Sequence, residues 1–330
     1  MSESGSTAAP SRAALLTAFA AVYLIWGSTY LVMKFAVASM PPLLMAGTRY
    51  GLAGTLLYAF MRWQGAPRPT RRGWGYGALI GLCLLGFGNG GTTFGVLYLP
   101  SGTTSLLVAT VPMFLALLGW LSGVSARPSL PVALGLAVGL VGLGLLASHP
   151  GSSAVRQPGH AGLGTGLVLV ASFVWAVGSL YSKNHSPSPS PFLSGGMQMM
   201  CGGAAMLVVG LLRGEATDFH FAQVTAKSWL AYGYLVSVGS IVAFTAYIWL
   251  LRAVEPALAG TYAFVNPVVA VLLGWAFAGE SLTPQMLGGG ALIVVAVGLV
   301  VLGGRRPKQT LATSPEAAVE PAAVPHQTPA

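Results

Sequence analysis

The chain has 330 residues, of which 54% are apolar and only 7% are charged. A soluble domain carries roughly 25% charged residues, so the composition excludes an ordinary water-soluble domain and predicts an integral membrane protein in a lipid bilayer. The formal net charge of +9 does not indicate a nucleic-acid partner, because the basic residues are scattered between apolar runs and form no basic face interleaved with aromatic residues.

Ten apolar runs follow one another along the chain, each close to the roughly 20 residues that a helix needs to cross a bilayer. The first run is longer than the roughly 7–15 apolar residues of a signal peptide, so we expect a retained helix. The predicted fold class is therefore an all-α integral membrane protein with ten transmembrane helices. The predicted helices are Ala13–Met33, Leu43–Met61, Trp74–Leu99, Thr103–Leu121, Leu130–Ala147, Gly162–Tyr181, Phe192–Leu212, Trp229–Leu251, Ala257–Ala278 and Pro284–Leu302.

The segments between and beyond these runs divide the chain. We expect an N-terminal tail over 1–12, a five-helix unit over 13–147, a linker over 148–161, a second five-helix unit over 162–302 and a C-terminal tail over 303–330. The C-terminal tail is rich in Ala and Pro, which predicts disorder.

Lysines and arginines between the runs predict the orientation, since cytoplasmic loops carry an excess of them. With a cytoplasmic N-terminus, eleven basic residues lie on the inner side and four on the outer side. We therefore expect an inner (plasma) membrane protein with both termini in the cytoplasm. The inner residues are Arg12, Arg62, Arg68, Arg71, Arg72, Arg127, Lys183, Arg252, Arg305, Arg306 and Lys308, and the outer ones are Lys34, Arg156, Arg213 and Lys227.

The two five-helix units resemble each other in sequence at offsets of 149 and 155 residues. Because five is an odd number, the second unit must enter the membrane from the opposite side, which makes the repeat inverted. Inverted repeats let transporters alternate access around a site at the membrane midplane. The matched pairs include Trp26 with Trp175, Pro42 with Pro191, Gly47 with Gly196, Gly54 with Gly203, Trp74 with Trp229 and Pro112 with Pro267.

Arg49 is the first candidate for a substrate-binding residue. It lies about seven residues into the second run, which at 1.5 Å per residue is roughly 10 Å deep. A charge at that depth costs several kcal/mol unless it faces a cavity or a partner. Its guanidinium can bind a substrate carboxylate or phosphate, or it can cap the C-terminus of a neighbouring helix. Its match in the second unit is Gln198, so a site at Arg49 would be asymmetric in charge.

Two amides and four aromatic residues are further candidates for substrate contact. Asn89 and Asn266 lie at mid-depth, where an unpaired amide is costly, and each can contact substrate or join two helices. The aromatic residues can shape a substrate cavity or pack in the core; they are Trp26, Trp175, Tyr247 and Tyr262.

Three residues are candidates for gating. Pro112 and Pro267 are expected in the middle of the fourth and ninth helices, where proline kinks a helix, so they form a candidate hinge pair. Glu280 follows the ninth helix on the outer face and can act as a gate or proton site, or cap the helix at the interface.

The apolar runs contain no set of residues typical of catalysis: no His, no paired carboxylates and no nucleophile beside a base. Cys83 and Cys201 lie in apolar runs without metal-ligand spacing. We expect no catalytic residue, metal or cofactor. Two alternatives to a transporter stay open: a membrane-embedded enzyme that acts on lipid-linked substrates, and a channel or receptor.

Short motifs surround the candidate residues: Trp26-Gly27-Ser28-Thr29-Tyr30, Ala46-Gly47-Thr48-Arg49, Gly88-Asn89-Gly90, Ala109-Thr110-Val111-Pro112 and Tyr262-Ala263-Phe264-Val265-Asn266-Pro267-Val268. Together they resemble the EamA family of the drug/metabolite transporter superfamily, and within it the YedA/PecM-like subgroup. The resemblance runs from about Leu15 to Leu302. The first helix lacks the carboxylate that small multidrug-resistance relatives place there, which argues against their proton-coupled cation efflux.

The resemblance implies a secondary transporter, in many members an exporter, of small polar or amphipathic metabolites such as amino-acid-like solutes. It would work by alternating access around a central midplane cavity. The expected partners are a small-molecule substrate and the lipid bilayer, with no nucleic acid and with a homodimer left open.

Overall fold

The computed structural model describes residues 10–98, 107–147, 161–186, 188, 190–217, 219–278 and 284–303. These residues form helices joined by turns, and no strand occurs among them. We number the helices in chain order. α1 is Arg12–Val37, α2 is Pro42–Trp63, α3 is Arg71–Gly81 continued by the π-helical segment Leu82–Asn89 and by Gly90–Tyr98, α4 is Val111–Leu121, and α5 is Leu130–Ala147. α6 is Ala161–Asn184, α7 is Pro191–Leu212, α8 is Ala226–Tyr234 continued by the π-helical segment Leu235–Val242 and by Ala243–Ala253, α9 is the short turn Pro256–Ala259 followed by Tyr262–Ala278, and α10 is Pro284–Gly303.

The outward surface of this bundle is apolar. Five helices, α1, α3, α6, α7 and α8, are long and apolar enough to cross a bilayer by length and composition. Large apolar side chains that would be costly to expose to water face outward, as expected for contact with lipid. They include Leu16, Leu24, Leu52, Leu56, Leu134, Val141, Leu163, Val170, Val208, Leu211 and Val294.

Among the described residues, α2 and α7 share an extensive helix–helix contact. A Cβ added to Gly54 would lie 2.7 Å from the carbonyl oxygen of Gly196, and one added to Gly203 would lie 2.9 Å from the carbonyl oxygen of Gly47. Glycine at these positions therefore lets the two backbones approach closely. Because the earlier glycine of each helix meets the later glycine of the other, α2 and α7 run antiparallel.

A second close pair joins α5 to α10. A Cβ on Gly135 would lie 2.8 Å from the carbonyl oxygen of Ala296, and one on Gly142 would lie 2.8 Å from that of Gly289. The order of these contacts shows that this pair is antiparallel as well.

Corresponding helices of the two halves have corresponding bounds. α2 and α7 begin and end 149 residues apart, and α3 and α8 begin and end 155 residues apart. The hydroxyls of Thr70 and Thr225 cap α3 and α8 in the same way, each accepting a hydrogen bond from the backbone N–H three residues later. The π-helical segments of the two helices differ by only two residues in this register.

Hydrogen bonds between loops define the two ends of the bundle. The α1–α2 end is the one where α1 stops and α2 begins. There Ser39 Oγ donates to Ser228 Oγ in the first turn of α8, at 2.8 Å. Glu215, after α7, accepts hydrogen bonds from the backbone N–H groups of Leu43 and Leu44, both at 2.9 Å. This carboxylate therefore caps α2, which otherwise begins at a proline without a side-chain cap.

The α8–α9 end is the opposite one, where α8 stops and α9 begins. Ser125, between α4 and α5, donates to Glu255 Oε2 at 2.8 Å. Ser129 donates to the carbonyl oxygen of Gly303 at the end of α10, at 3.1 Å. These bonds join the first and second halves of the chain at this end.

The helices confirm the all-α class, but the fourth and ninth predicted helices need correction. We expected a continuous helix from Thr103 to Leu121, whereas the chain turns at Ala109 and Thr110, and α4 begins at Val111. Pro112 thus occupies the first turn of α4, where a missing N–H costs nothing, and not its interior. The ninth helix is interrupted in the same way by a turn at Gly260 and Thr261.

Parts of some predictions lie outside the described residues. These are most of the two tails, the linker from 148 to 160, the stretch 99–106 and Glu280.

Candidate functional site

A cavity of about 140 Å³ opens between α1, α2, α3, α4, α6 and α9. A water needs roughly 10–15 Å³ of such space, so the cavity has room for about ten waters or one small organic solute. Its wall has a positive charge at Arg49, aromatic rings at Trp26, Tyr50, Trp175 and Tyr262, and polar groups at Thr29, Asn89, Thr92, Thr93, Ser172 and Asn266.

The cavity extends from the middle of the bundle toward the α1–α2 end. On α1 its wall begins at Trp26 and extends to Met33, in the later half of that helix, and on α2 it uses Arg49 and Tyr50, in the earlier half. Both helices therefore place the cavity between the middle of the bundle and the α1–α2 end. The wall residues of α3 lie on this same side, whereas those of α6 (Ala171, Ser172 and Trp175) span the middle of that helix. On α9, Tyr262 and Asn266 lie in the half that begins at the α8–α9 end.

Arg49 is held on the cavity wall by α8. Its side chain is 2% exposed, and its Nε donates to Ser240 Oγ at 2.8 Å and to the carbonyl oxygen of Leu235 at 3.1 Å. The guanidinium also lies over the ring of Tyr50, with Cζ 4.6 Å from the ring centroid. Both acceptors belong to the π-helical segment of α8. Nη1 and Nη2 have no hydrogen-bond partner among the described residues, so these donors remain for a ligand.

Gln198, the match of Arg49 in the second half, has a different setting. It is fully buried, its Nε2 donates to Ser194 Oγ at 3.2 Å within the same helix, and it is not part of the cavity wall. The positive charge at the cavity therefore comes from the first half alone.

Four aromatic residues form a cluster beneath the cavity, on the side of the α8–α9 end. Trp26 is its centre: its ring centroid lies 6.0 Å from that of Trp175, 5.2 Å from Tyr247 and 4.8 Å from Tyr262. Trp175 Nε1 donates to the hydroxyl of Tyr247 at 3.0 Å, and Ser179 shares a 2.8 Å hydrogen bond with the same hydroxyl. We call Trp26, Trp175, Tyr247 and Tyr262 the aromatic floor.

The two amides differ in their partners and burial. Asn266 is 2% exposed and lines the cavity, and its Oδ1 is buried with no hydrogen-bond partner among the described residues. Asn89 lines the cavity at the last residue of the π-helical segment of α3, a type of distortion that is frequent at functional sites.

The predicted substrate-contacting residues converge. Of the seven, six lie in the cavity wall, namely Trp26, Arg49, Asn89, Trp175, Tyr262 and Asn266. Tyr247 is the seventh, and it is fully buried behind the wall, where it supports Trp175.

The predicted gating residues do not form a matched set. Pro267 lies inside α9, as expected for a kink, whereas Pro112 lies in the first turn of α4. Glu280 lies outside the described residues.

Sequence reasoning missed four hydroxyl residues of the wall: Thr29, Thr92, Thr93 and Ser172. Helical spacing contained a signal for three of them. Thr29 follows Trp26 by three residues, and Thr92 and Thr93 follow Asn89 by three and four, which places each on the face of a predicted candidate.

In the part of the chain that the structure describes, no group of three His, Cys, Asp or Glu side chains is placed to hold a metal ion. The chemistry that the cavity offers is binding: one cation, amide and hydroxyl groups, and aromatic faces.

Comparison with known proteins places this geometry in context. The model of the EamA-like transporter family matches residues 12–148 and 162–302. A relative named "Uncharacterized inner membrane transporter YedA", of Escherichia coli (strain K12), is 41% identical over 290 residues, which cover 88% of this chain and 91% of YedA. Protein PecM of Dickeya dadantii (strain 3937) is 31% identical over 286 residues, or 84% of this chain and 88% of PecM.

A more distant relative is named for its cargo. The "Probable amino-acid metabolite efflux pump" of Salmonella typhimurium is 26% identical over 301 residues, which cover 86% of this chain and 93% of that protein. A solved crystal structure superposes with a TM-score of 0.73 at 19% identity and covers 89% of this chain and 99% of its own, which is a likeness of fold alone.

Proposed function

The chain belongs to the EamA-like transporter family and is a multi-pass inner-membrane transporter, and on that premise we propose that it is a secondary transporter of small polar or amphipathic metabolites. We propose further that it exports amino-acid-like solutes by alternating access around the cavity at Arg49. The name of the Salmonella typhimurium relative supports this class of cargo.

The proposed architecture has ten transmembrane helices in two inverted five-helix repeats, over residues 13–147 and 162–302. Two features support it. The bounds of α2 and α7, and of α3 and α8, correspond at fixed offsets. The corresponding helices α2 and α7 pack antiparallel, as do α5 and α10. An inverted repeat pairs equivalent helices in this way.

One observation supports the proposed mechanism: the cavity lies beside the middle of the bundle, and the aromatic floor packs against its α8–α9 side. A transporter needs a central site that is sealed from one side of the membrane while the other has access. With both termini in the cytoplasm, as the distribution of basic residues favours, the α1–α2 end faces outward.

Transport into proteoliposomes tests the proposal. Purified protein would be reconstituted and offered a mixed metabolite pool, with and without a proton gradient, and solute accumulation read by mass spectrometry. We expect saturable, protein-dependent accumulation and acceleration of uptake by the same solute on the opposite side. Accumulation equal to that of empty liposomes would contradict a transporter, and protein-dependent flux without saturation or counterflow would indicate a channel.

The chain offers a matched control in two tryptophans. Trp26 forms the floor of the cavity, whereas Trp63 is 82% exposed at the end of α2. Trp26→Phe should change the apparent KM or the turnover, because the ring loses its hydrogen bond to the carbonyl oxygen of Gly239. Trp63→Phe should leave both unchanged.

A further inference from the structure

Among the described residues, neither the terminal nitrogens of Arg49 nor Oδ1 of Asn266 has a hydrogen-bond partner, and these two groups of the cavity wall differ in what they can bind. We infer that Arg49 and Asn266 recognise the two ends of one zwitterionic solute, with its carboxylate at Arg49 and its ammonium at Asn266. This inference rests on the proposed function and names the class of substrate that the cavity selects.

Arg49 is positioned for an anion. Its Nε is occupied by Ser240 and Leu235, which fixes the plane of the guanidinium and leaves Nη1 and Nη2 without partners among the described residues. Two parallel N–H donors match a carboxylate in a bidentate arrangement. Neither acid in the described helices and loops, Glu215 or Glu255, meets this charge, because each is held at an end of the bundle. A ligand carboxylate can therefore neutralise it.

Asn266 is positioned for a hydrogen-bond donor. Its Oδ1 is a buried acceptor with no partner among the described residues, in a side chain that is 2% exposed and lines the cavity. Leaving a buried acceptor unpaired is costly, so a solute with an N–H group recovers that cost on binding. The corresponding position of the first half is Val111, which lines the cavity with an apolar side chain. At this pair of matched positions, the acceptor is therefore present in the second half alone.

Trp26 contacts residues next to both groups. On one side its Nε1 donates to the carbonyl oxygen of Gly239 at 3.2 Å, and Arg49 Nη2 lies 3.1 Å from where a Cβ of that glycine would be. On the other side its ring contacts Tyr262, one helical turn before Asn266. The carboxylate and the ammonium of a bound solute would thus both lie near this indole ring. Its apolar part would contact the aromatic faces, which also favour a nearby cation.

Three compounds with the same aromatic body test the assignment. Phenylalanine has both charged groups, 3-phenylpropionic acid lacks the ammonium, and phenethylamine lacks the carboxylate. Binding to the purified full-length protein would be measured by isothermal titration calorimetry. We expect phenylalanine to bind about tenfold to a hundredfold more tightly than either analogue, since each analogue leaves one buried group unpaired. Equal affinity for all three compounds, or binding of none, would overturn the inference.

Variants assign each charged group of the ligand to a residue. Asn266→Leu should lower phenylalanine affinity to that of 3-phenylpropionic acid and leave the acid unchanged. Asn266→Asp keeps an acceptor and adds a negative charge, so it should strengthen phenethylamine binding and weaken the acid. Arg49→Gln should lower the affinity for phenylalanine to that for phenethylamine. If Arg49→Gln fails to fold, Arg49→Lys, which keeps the charge, takes its place in the test. Equal weakening of all three ligands by Asn266→Leu would assign Asn266 a structural role and contradict the inference.

Gln198→Leu is the matched control. Gln198 also has a buried amide oxygen without a partner among the described residues, but it lies outside the cavity wall. The order of the three affinities should not change in this variant. If the protein transports other solutes while the three compounds fail to bind, the proposed function stands and this inference is wrong.

Discussion

Two regions of the molecule occupy corresponding positions in the two halves but contain different side chains. In α3, Asn89 and Thr92 line the cavity. The residues 155 positions later, in α8, are Phe244 and Tyr247, which are 1% and 0% exposed in the packed core. A second pair shows the same difference with the halves exchanged. Ser172 of α6 lines the cavity, whereas Tyr23, 149 positions earlier, shares a 2.6 Å hydrogen bond with the hydroxyl of Thr261.

The backbones of these regions are nearly equivalent, since bounds, caps and π-helical segments correspond. The presence of a cavity on one side and a packed core on the other therefore depends on the volume of the side chains. Opening the second region would require aromatic rings to leave the aromatic floor, whereas closing the first requires only small polar side chains to approach. The two access states of the proposed cycle would thus differ in the side chains that line them.

The largest effect should follow from giving the cavity wall of α3 the side chains that pack at the corresponding positions of α8. Asn89→Phe combined with Thr92→Tyr copies the α8 residues into α3. The two rings would occupy most of a cavity of about 140 Å³. We expect binding and transport to fall to the level of empty liposomes while the protein still folds, since the same residues pack in α8. Uptake into proteoliposomes measures the effect.

Thr55→Tyr is the control for this double variant. Thr55 is exposed on the outer face of α2, so a ring there faces lipid. Wild-type uptake in the control and in the double variant alike would show that the cavity is not the transport site.

An intermediate effect is expected from loosening the aromatic floor. Tyr247→Phe removes the hydroxyl that binds Trp175 and Ser179. A hydrogen bond between membrane helices contributes about 0.6 kcal/mol on average and up to about 1.7. The packed region around the aromatic floor should therefore open about three- to twentyfold more often.

Cysteine labelling can measure that opening on both sides. Met33 lines the cavity, and Ser182, 149 positions later, is 2% exposed on the closed side. In a background without Cys83 and Cys201, Met33→Cys should react faster than Ser182→Cys. Adding Tyr247→Phe should accelerate labelling at Ser182→Cys alone. Acceleration at both positions would indicate general loosening of the protein.

The smallest effect is expected at the α8–α9 end. Ser125→Ala removes the hydroxyl that donates to Glu255. Ser125 and Glu255 are both half-buried, so water can replace this hydrogen bond and its loss should cost only about 0.5 kcal/mol. Labelling at Ser182→Cys should therefore rise about twofold. Ser122→Ala is the control, because that hydroxyl binds the carbonyl oxygen of Leu118 in its own helix. An equal rise in both variants would exclude a specific role for the Ser125 bond.

Much of the fold could be predicted from the sequence. The family resemblance drawn from short motifs is confirmed, and helix bounds were close where a cap or proline marks them, as at Pro42, Thr70 and Pro191. The prediction of a continuous helix through the residues before Pro112 was wrong. A proline in an apolar run fits either an interior kink or a first turn, and the choice depends on contacts that no local pattern encodes.

The site could be predicted in part, and the divide follows the chemistry of the side chains. Arg49 and Asn266 stand out because a charge or an amide in an apolar run must find a partner or a cavity. Thr92 and Thr93 do not, because each hydroxyl donates to a carbonyl oxygen of its own helix and is equally satisfied facing lipid or cavity. Tyr247 was a candidate for the cavity wall and packs in the core behind it, because the sequence pattern of an aromatic residue is the same in both places.

The glycine contact between α2 and α7 has a further consequence for how the halves are related. Exchanging the halves turns the contact of Gly47 with Gly203 into that of Gly196 with Gly54, which is the other contact of the same interface. The interface is thus isologous, like that of a two-fold symmetric dimer. Each half therefore carries a self-complementary surface. A side chain added to one glycine would disturb only one of the two equivalent contacts. In a dimer of two identical halves, the same change would disturb both contacts.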